Sequence, residues 1–587
     1  MRDQVRIGCG AGFWGDSAEG PRQLVESGEI DYLVLDYLAE ITMSLLAKAR
    51  AKDPNAGYAT DFPGVVASLA AKIKQQGIKL VTNAGGVNPQ ACKAAIEEKL
   101  KALGVELKIS IVTGDDLLPR AAEYAGVKEM FSAEAMPAKL WSMNAYLGAF
   151  PIAQALAGGA DIVLTGRCVD SAIVLGPLIH EFNWQAHEYD KLSAGSLAGH
   201  VIECGAQATG GVSTDWEAVV ADWDRMGFPI AVCKPDGRFI ATKPQNTGGR
   251  VTVETVAEQI VYEIGDPTAY LLPDVTCDWS QLQLRQVGDQ QVEVSGARGR
   301  APSDSYKVSA TYQDGFRCSS TMMIGGVDAV RKAEAVAAAI LKRTRRMFAE
   351  RGLADYQRTD VEVLGSEANW GANARRRDTR EVVLKISVQH ADKAALDIFG
   401  REFIPPATAM VQSITGFAGG RPTPAPLVRL FSCLVPKSSV TIEVDGVVFV
   451  PPAVAPSPAA PAQPAATIPA PASVGGPVQR VPLIRLAYGR SGDKGNSANI
   501  GVLARKPEFV PLLREQLTAD AVKRYFAHFV EGPVERFEIP GLHGFNFLMH
   551  SALGGGGVAS LRYDPQGKML AQVLMDFPLD VPTALLS

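Results

Sequence analysis

Carboxylates, amides and one arginine recur just after short apolar runs in the first third of this 587-residue chain. Asp16 follows "VRIGCGAGFWG"; Asp36 and Glu40 follow "IDYLVL"; Asn83 follows "IKLVT", with Gly85, Gly86 and Asn88 close behind. Asp115 and Asp116 follow "LKISIVTG", and Arg167 with Asp170 follows "ADIVLTG". Several carboxylates in one cleft raise one another's pKa, as a general acid requires. The same set suits Mg²⁺, which takes one or two carboxylates plus waters. An arginine among them suits the bidentate binding of a substrate carboxylate. Asp36 and Glu40 are four apart, so a helix beginning at Asp36 would show both on one face. The competing reading is that several of these residues cap helices, Asn88 before Pro89 and Asp115/Asp116 above all.

The first of these stretches holds a literal G-x-G-x-x-G, Gly10 to Gly15, with Asp36 at the separation a dinucleotide fold uses for the ribose hydroxyl. Two features oppose NAD(P) binding. Asp16 sits where a pyrophosphate would rest, and Gly20-Pro21 fall in the first turns of the nucleotide helix. A Gly-rich turn capped by Asp16 or Ser17, and a small-molecule site using Asp16, remain as the other two readings. Cys168, between Arg167 and Asp170, has the setting of a lowered thiol pKa but no histidine near it in sequence; His180, His187 and His200 would have to approach in space. Gly248 and Gly249 in "KPQNTGGRVT" suit either an anion nest or a plain helix entry.

A second polar group lies near the C-terminus. "GRSGDKGNSANIG" offers Arg490, Asp493, Lys494, Asn496 and Asn499; "GLHGFNFLMHSALGGGG" adds His543, Asn546 and His550. Asp493, Lys494 and Asn496 are candidate substrate contacts, either completing the cleft of the large body or making a subunit contact.

The elements that must position these residues follow from pattern. Over about 1–190, β-branched apolar runs alternate with helical stretches such as "GVVASLAAKIKQQG", the βαβα order of a parallel sheet. Such sheets bind ligands beyond the carboxyl ends of their strands. Over 191–450 a second, α+β part is expected: "SYKVSATYQDGFRCSSTMMIGG" as two antiparallel strands, a long helix, then "DVEVLGSE", "REVVLKISVQ", a helix near 391–400 and "VTIEVDGVVFV". Residues 451–479 are Pro/Ala-rich and read as a tether. Residues 480–587 read as a ferredoxin-like α+β domain, with "GVASLRYD" and "MLAQVLMDF" as its late strands. The fold class is therefore α/β.

Composition bounds the function. A net charge of −5 gives no basic face for nucleic acid. No run of about 18 apolar residues suggests a membrane span. Met1-Arg2-Asp3-Gln4 leads into a strand with no secretory leader, and eight single cysteines without C-x-x-C fit reduced thiols, so the expectation is cytoplasmic. A homo-oligomer is left open.

Taken together, "GCGAGFWGDS", "DYLVLDYLAEITM", "TNAGGVNP", "GDDLLP", "TGRCVDSA", "TGGRVTVETVAEQIVYEIGDP" and "GRSGDKGNSANIGV" resemble the acyclic terpene utilisation AtuA family. The resemblance covers about 5–447 as the AtuA domain and about 482–580 as an AtuA-like ferredoxin-fold domain. It implies a place in the breakdown of branched unsaturated acids through CoA thioesters, and it carries over no catalytic residue. The reading that follows is an enzyme acting on a small carboxylate or CoA thioester by hydratase, lyase or isomerase chemistry. Asp16, Asp36 and Glu40 are its acid–base or metal candidates; Asn83, Asp115, Asp116, Arg167 and Asp170 are its substrate contacts. An NAD(P)-dependent oxidoreductase and a non-catalytic accessory subunit or scaffold are the alternatives.

Overall fold

The computed structural model describes residues 2–417, 419–454, 477–557 and 559–586. Most of the tether, 455–476, lies outside the described residues.

The five apolar runs form strands β1 (Val5–Cys9), β2 (Tyr32–Leu35), β3 (Lys79–Thr82), β4 (Ile109–Thr113) and, after β5 (Ser142–Ala145), β6 (Ile162–Thr165). β1, β2, β3, β6 and β4 lie side by side in that order, all parallel. Alternation sorts their side chains onto two faces. In β2, Leu33 and Leu35 join the core under the helices Glu19–Ser27, Phe62–Gln76 and Pro89–Leu103. Tyr32 and Val34 join the core under Ala172–Phe182 and Tyr189–Ile202. Three helices stop at a glycine in the left-handed region, Gly28, Gly77 and Gly104, where a Cβ would be strained.

This sheet runs past residue 190. β7 (Ile230–Cys233) pairs antiparallel with β1, β8 (Phe239–Thr242) with β7, and the hairpin of Gln283–Gly288 and Gln291–Ser295 completes that edge. At the opposite edge "VTIEVDGVVFV" does not join the second part, as its place in the chain suggested. It folds as Glu443–Val444 and Val447–Val448 around a turn in which Asp445 and Gly446 both have positive φ, and it pairs with β4.

A second sheet is built on Ser305–Gly325, one strand of 21 residues where two antiparallel strands were expected. Asp314-Gly315 reads as a hairpin turn but forms a bulge: the pairing with Ala425–Pro436 shifts register between Gln313 and Phe316. The strand runs on to pair with Glu381–His390, and the helices Ala329–Glu350 and Lys393–Glu402 cover this end. Its first half pairs with β5, which carries the second sheet over the carboxyl ends of the first.

The C-terminal part is a four-stranded sheet in the order Ala487–Lys494, Ser497–Ala504, Gly544–Met549, Val534–Ile539. "MLAQVLMDF" supplies a helix, Leu570–Leu574, and the described residues of "GVASLRYD", 557 and 559–564, form no strand; the late strands come from "VERFEI" and "GFNFLM". One face of the sheet, with Ala498, Ile500, Val502, Phe545 and Phe547, packs on its own helices. The alternate positions Asn499, Gly501, Leu503 and Asn546 meet the large body. Asn499 donates to Val261 O (2.8 Å) and accepts from the Glu263 amide (3.0 Å); Asn546 donates to Ile264 O (3.0 Å). A Cβ at Gly501 would run into Val261. Gly501→Val is therefore expected to force the C-terminal part off the body. Limited proteolysis should then cut Gly501→Val faster than the native chain between the two parts, with circular dichroism unchanged; equal cutting rates would show that docking does not need this contact.

Candidate active site at the strand ends

The polar residues that follow the parallel strands do meet. Asn83 donates to Asp36 Oδ1 (2.6 Å) and accepts from the Tyr37 amide (2.8 Å). Asp115 accepts from the Arg167 amide (2.8 Å) and from Asn144 (3.0 Å). Arg167 donates through Nη1 to Leu38 O (2.6 Å) and Asp170 (2.9 Å), and its guanidinium lies 4.3 Å from the Tyr146 ring centroid. These contacts stitch β2, β3, β6 and β4 together at their carboxyl ends. Asp36 and Glu40 do not share a helix: residues 36–39 are extended coil and the helix begins at Glu40. Glu40 nevertheless stays close, accepting from the Tyr146 hydroxyl and lying 3.9 Å from Lys307 of the long strand.

Other sequence candidates are held by their own backbone. Asp16 accepts from the amides of Gly12 (3.0 Å) and Ser17 (2.7 Å), so it takes the donors a pyrophosphate would need. The glycines serve close packing. A Cβ at Gly12 would lie 2.7 Å from the Cys204 backbone, one at Gly10 2.9 Å from the Pro21 nitrogen, and one at Gly20 against Gly10. With Asp36 turned toward Asn83, this loop does not fit a dinucleotide. Asp116 caps the turn at Leu118, Asn88 caps the helix Pro89–Leu103, and Asn496 accepts from the Gly555 amide. Cys168 is buried, and burial pushes its thiol up to about 12, against a nucleophilic role. The Gly248 amide is taken by Arg225 O, which removes half of the suggested nest.

Around this row stand further groups, of which sequence reasoning named His200, Asp493 and Lys494 and missed Glu203, Glu263, Tyr270, Trp279, Lys307 and Lys568. Glu203 ends the helix Tyr189–Ile202, and His200 Nδ1 lies 3.4 Å from its carboxylate. His200 Nε2 faces Ile260 O at 3.1 Å. A carbonyl only accepts, so Nε2 carries the proton and Nδ1 is left as an acceptor. Tyr270 stacks on Trp279 (4.7 Å), which packs against His200 (5.2 Å). Glu263 pairs with Lys568 (2.5 Å), which also reaches Asp493 (3.3 Å); the Lys494 ammonium lies over Tyr270 at 5.4 Å. The one local sign of Glu203 is an acid at a helix C-terminus, where the helix dipole disfavours its charge. Lys307, an ordinary lysine in an alternating strand, gives no sign at all.

The walls of this region are wet. Lys307, Asp170 and Glu40 keep 44%, 40% and 29% of their side-chain surface. Their accessible surface faces an internal cleft between the strand ends, the long strand and the C-terminal part. A separate cavity of about 1020 Å³ lies on the far edge near Arg6, Ile240 and Lys243. The cleft is the better candidate, because the groups with displaced protonation gather there. Among the described residues no three His, Cys, Asp or Glu side chains come together as metal ligands. The carboxylates instead have protein partners, so the set does not fit Mg²⁺.

Burial, then Asp170, raises the Asp36 carboxyl well above its ordinary value, with Arg167 opposing. Burial, then Asp170 and Glu263, does the same to Glu203. Burial and Glu263 bring Asp493 to about 6 against the pull of Lys568. Burial works to raise Glu40 too, but Lys307, Arg167 and the Tyr146 hydroxyl outweigh it and hold it at about 2. Burial and Lys494 lower His200 to about 4, so its ring is neutral.

Burial also raises Asp115 to about 7. Its folded pKa lies above the unfolded value of about 3.9. The folded protein then holds more protons than the unfolded one as pH rises from about 4 to 7, and stability falls across that window. Asp115→Asn, which keeps an acceptor for both donors, is expected to flatten this fall and raise the urea midpoint at pH 8. An unchanged midpoint across the window would mean that Asp115 ionises freely.

The family model described as acyclic terpene utilisation family protein AtuA matches residues 5–445, and the one described as AtuA ferredoxin-like domain matches 481–580. Neither the curated proteins nor the solved structures contain a match. Among the described residues no helix is long and apolar enough to cross a membrane.

Proposed function

The chain belongs to the acyclic terpene utilisation AtuA family, and from that premise we propose that it is a cytoplasmic enzyme of branched carboxylic acid or acyl-CoA catabolism. Its chemistry is acid–base: addition or removal of water next to a carbonyl, or migration of the double bond. The observation that carries the reading is a set of carboxyls in one cleft whose pKa values are driven apart, the arrangement that separates an acid from a base at neutral pH. Glu203, its carboxyl raised well above the ordinary value by burial, Asp170 and Glu263, is the acid. Asp493, near 6, is ionised at pH 7 and close enough to that pH to serve as base. Glu40, near 2, is too weak a base; it holds Lys307 and the Tyr146 hydroxyl in place. In a hydration, Asp493 takes a proton from water as its oxygen bonds to the β-carbon. Glu203 gives its proton to the α-carbon, and exchange with solvent returns both groups to their starting states. Tyr270, backed by Trp279, offers the apolar wall a branched chain needs.

The test is turnover of branched enoyl-CoA esters and of the corresponding hydroxy acids, followed by loss of the conjugated thioester absorbance and by mass spectrometry. The native enzyme should show an acidic limb near pH 6, and Asp493→Asn should lose about 100-fold or more of kcat. No consumption of any ester or acid would end the reading.

A further inference from the structure

The cleft's carboxylates all have partners: Glu40 has Tyr146, Asp170 has Arg167, Glu263 and Asp493 share Lys568, Glu203 faces His200, and Asp36 has Asn83 and the Leu38 amide. Two cations do not match this pattern. The Lys494 ammonium makes no hydrogen bond or ion pair within contact distance among the described residues; the Tyr270 ring lies 5.4 Å away, and Glu263 and Glu203 feel its charge. The Lys307 ammonium comes no nearer than 3.9 Å to Glu40, whose same oxygen already accepts from Tyr146, and it too donates no hydrogen bond among the described residues. It hangs over the Tyr146 ring at 4.8 Å. The two lysines feel each other: burial depresses the Lys307 ammonium, Glu40 opposes, and Lys494 and Arg167 add to the depression. Carboxylates stand near both, Glu40 and Asp170 by Lys307 and Glu263 and Glu203 by Lys494, but neither ammonium donates a hydrogen bond to them, so both keep donors for an anion in the cleft.

Arg167, the cation that the sequence singles out for a substrate carboxylate, is only 4% exposed, with Leu38 and Asp170 on its Nη1. It organises the cleft and leaves little surface for a ligand.

Lys494 is presented by a tight hairpin. It pairs with Ser497 across Gly495-Asn496, and Gly495 takes the positive φ of a type II′ turn at its first central position. The same strand is fixed to the body at Gly492, where a Cβ would meet Glu263 and Tyr262.

We propose that a substrate carboxylate is clamped between Lys307 of the long strand and Lys494 of the C-terminal hairpin, so that each half of the chain contributes one arm of the binding site. This rests on the acid–base reading for what happens next, but not for the binding itself. A carboxylate suits the clamp better than a phosphate, because the surrounding carboxylates repel a dianion more than a monoanion.

The experiment uses the full chain and carboxyl-¹³C acetate, with line broadening titrated at constant ionic strength. Acetate should bind saturably. Lys307→Gln and Lys494→Gln should each weaken it by about 10- to 100-fold, the loss of one charge-assisted hydrogen bond. Lys307→Arg and Lys494→Arg, which keep the charge and guard against a folding defect, should stay within about threefold of the native affinity. Phosphate should compete poorly. No saturable binding, native-like binding by the Gln variants, or phosphate binding tighter than acetate would each overturn the clamp. Lysine-dependent acetate binding in a protein that turns over no acid or thioester would sink the acid–base reading and leave the clamp standing. Turnover with lysine-independent binding would do the reverse.

Discussion

Glu203→Gln is expected to lower kcat by about 100- to 10,000-fold, the usual range for loss of a positioned general acid. It should leave thermal stability unchanged. The reason lies in the contact with His200. Nε2 of His200 is committed to Ile260 O, so its Nδ1 is an acceptor; it takes no hydrogen bond among the described residues, and the nearest polar group is the Glu203 carboxyl, 3.4 Å away. Glutamine places an amide donor beside Nδ1 and carries no charge, and burial with Asp170 and Glu263 already raises the Glu203 carboxyl well above its ordinary value. What it lacks is a proton to give. The measurement is a pH–rate profile beside calorimetry of both proteins. Native kcat in Glu203→Gln would remove Glu203 from the mechanism. A large drop in Tm would show that the native group is ionised and that its charge supports the fold.

Arg167→Met has the second large effect, on stability. The guanidinium is buried among Asp170, Asp36, Glu40 and the Tyr146 ring, and its Nη1 also serves Leu38 O. Removing one partner of a buried charge network leaves the others without compensation and costs about 3–5 kcal/mol. With a shift of roughly 2–4 °C per kcal/mol in domains of 150–250 residues, Tm should fall by ~10 °C. Arg167→Lys should recover only part of this, because an ammonium neither stacks flat on Tyr146 nor spans two acceptors in one plane. A loss below about 1 kcal/mol in Arg167→Met would mean that Asp170 and Glu40 are served by solvent rather than by Arg167.

The strands of the parallel sheet were legible because each is a short apolar run ended by a polar residue, and three of the helices between them because a glycine closes each. Those same polar ends were legible as neighbours: Asp36 meets Asn83, and Asp115 meets the backbone of Arg167. Residue type alone misled where a side chain serves its own loop. Asp16 and Asn496 have the chemistry of a site and the geometry of a brace. The long strand was misread because Asp-Gly signals a turn locally, whereas pairing partners on both sides carry the chain straight through it. Glu203, Lys307 and Lys568 were illegible for a different reason. They lie up to 365 residues apart in sequence, and their meaning arises only where a helix end, a strand from the second sheet and the C-terminal part converge.

The two-faced sheet at the C-terminus also sets an order of events in the life of each molecule. Strands β1 to β6 leave the ribosome early and have their helices at hand. The backbone groups at Val261, Glu263 and Ile264 wait for Asn499 and Asn546, which are synthesised more than 230 residues later. Domains generally fold as units and N-terminal first during synthesis. A nascent chain therefore carries an open, unfinished cleft, without Asp493, Lys494 or Lys568, until those residues emerge. Competence waits for these segments, and a chain truncated before them is left with a folded sheet and no clamp.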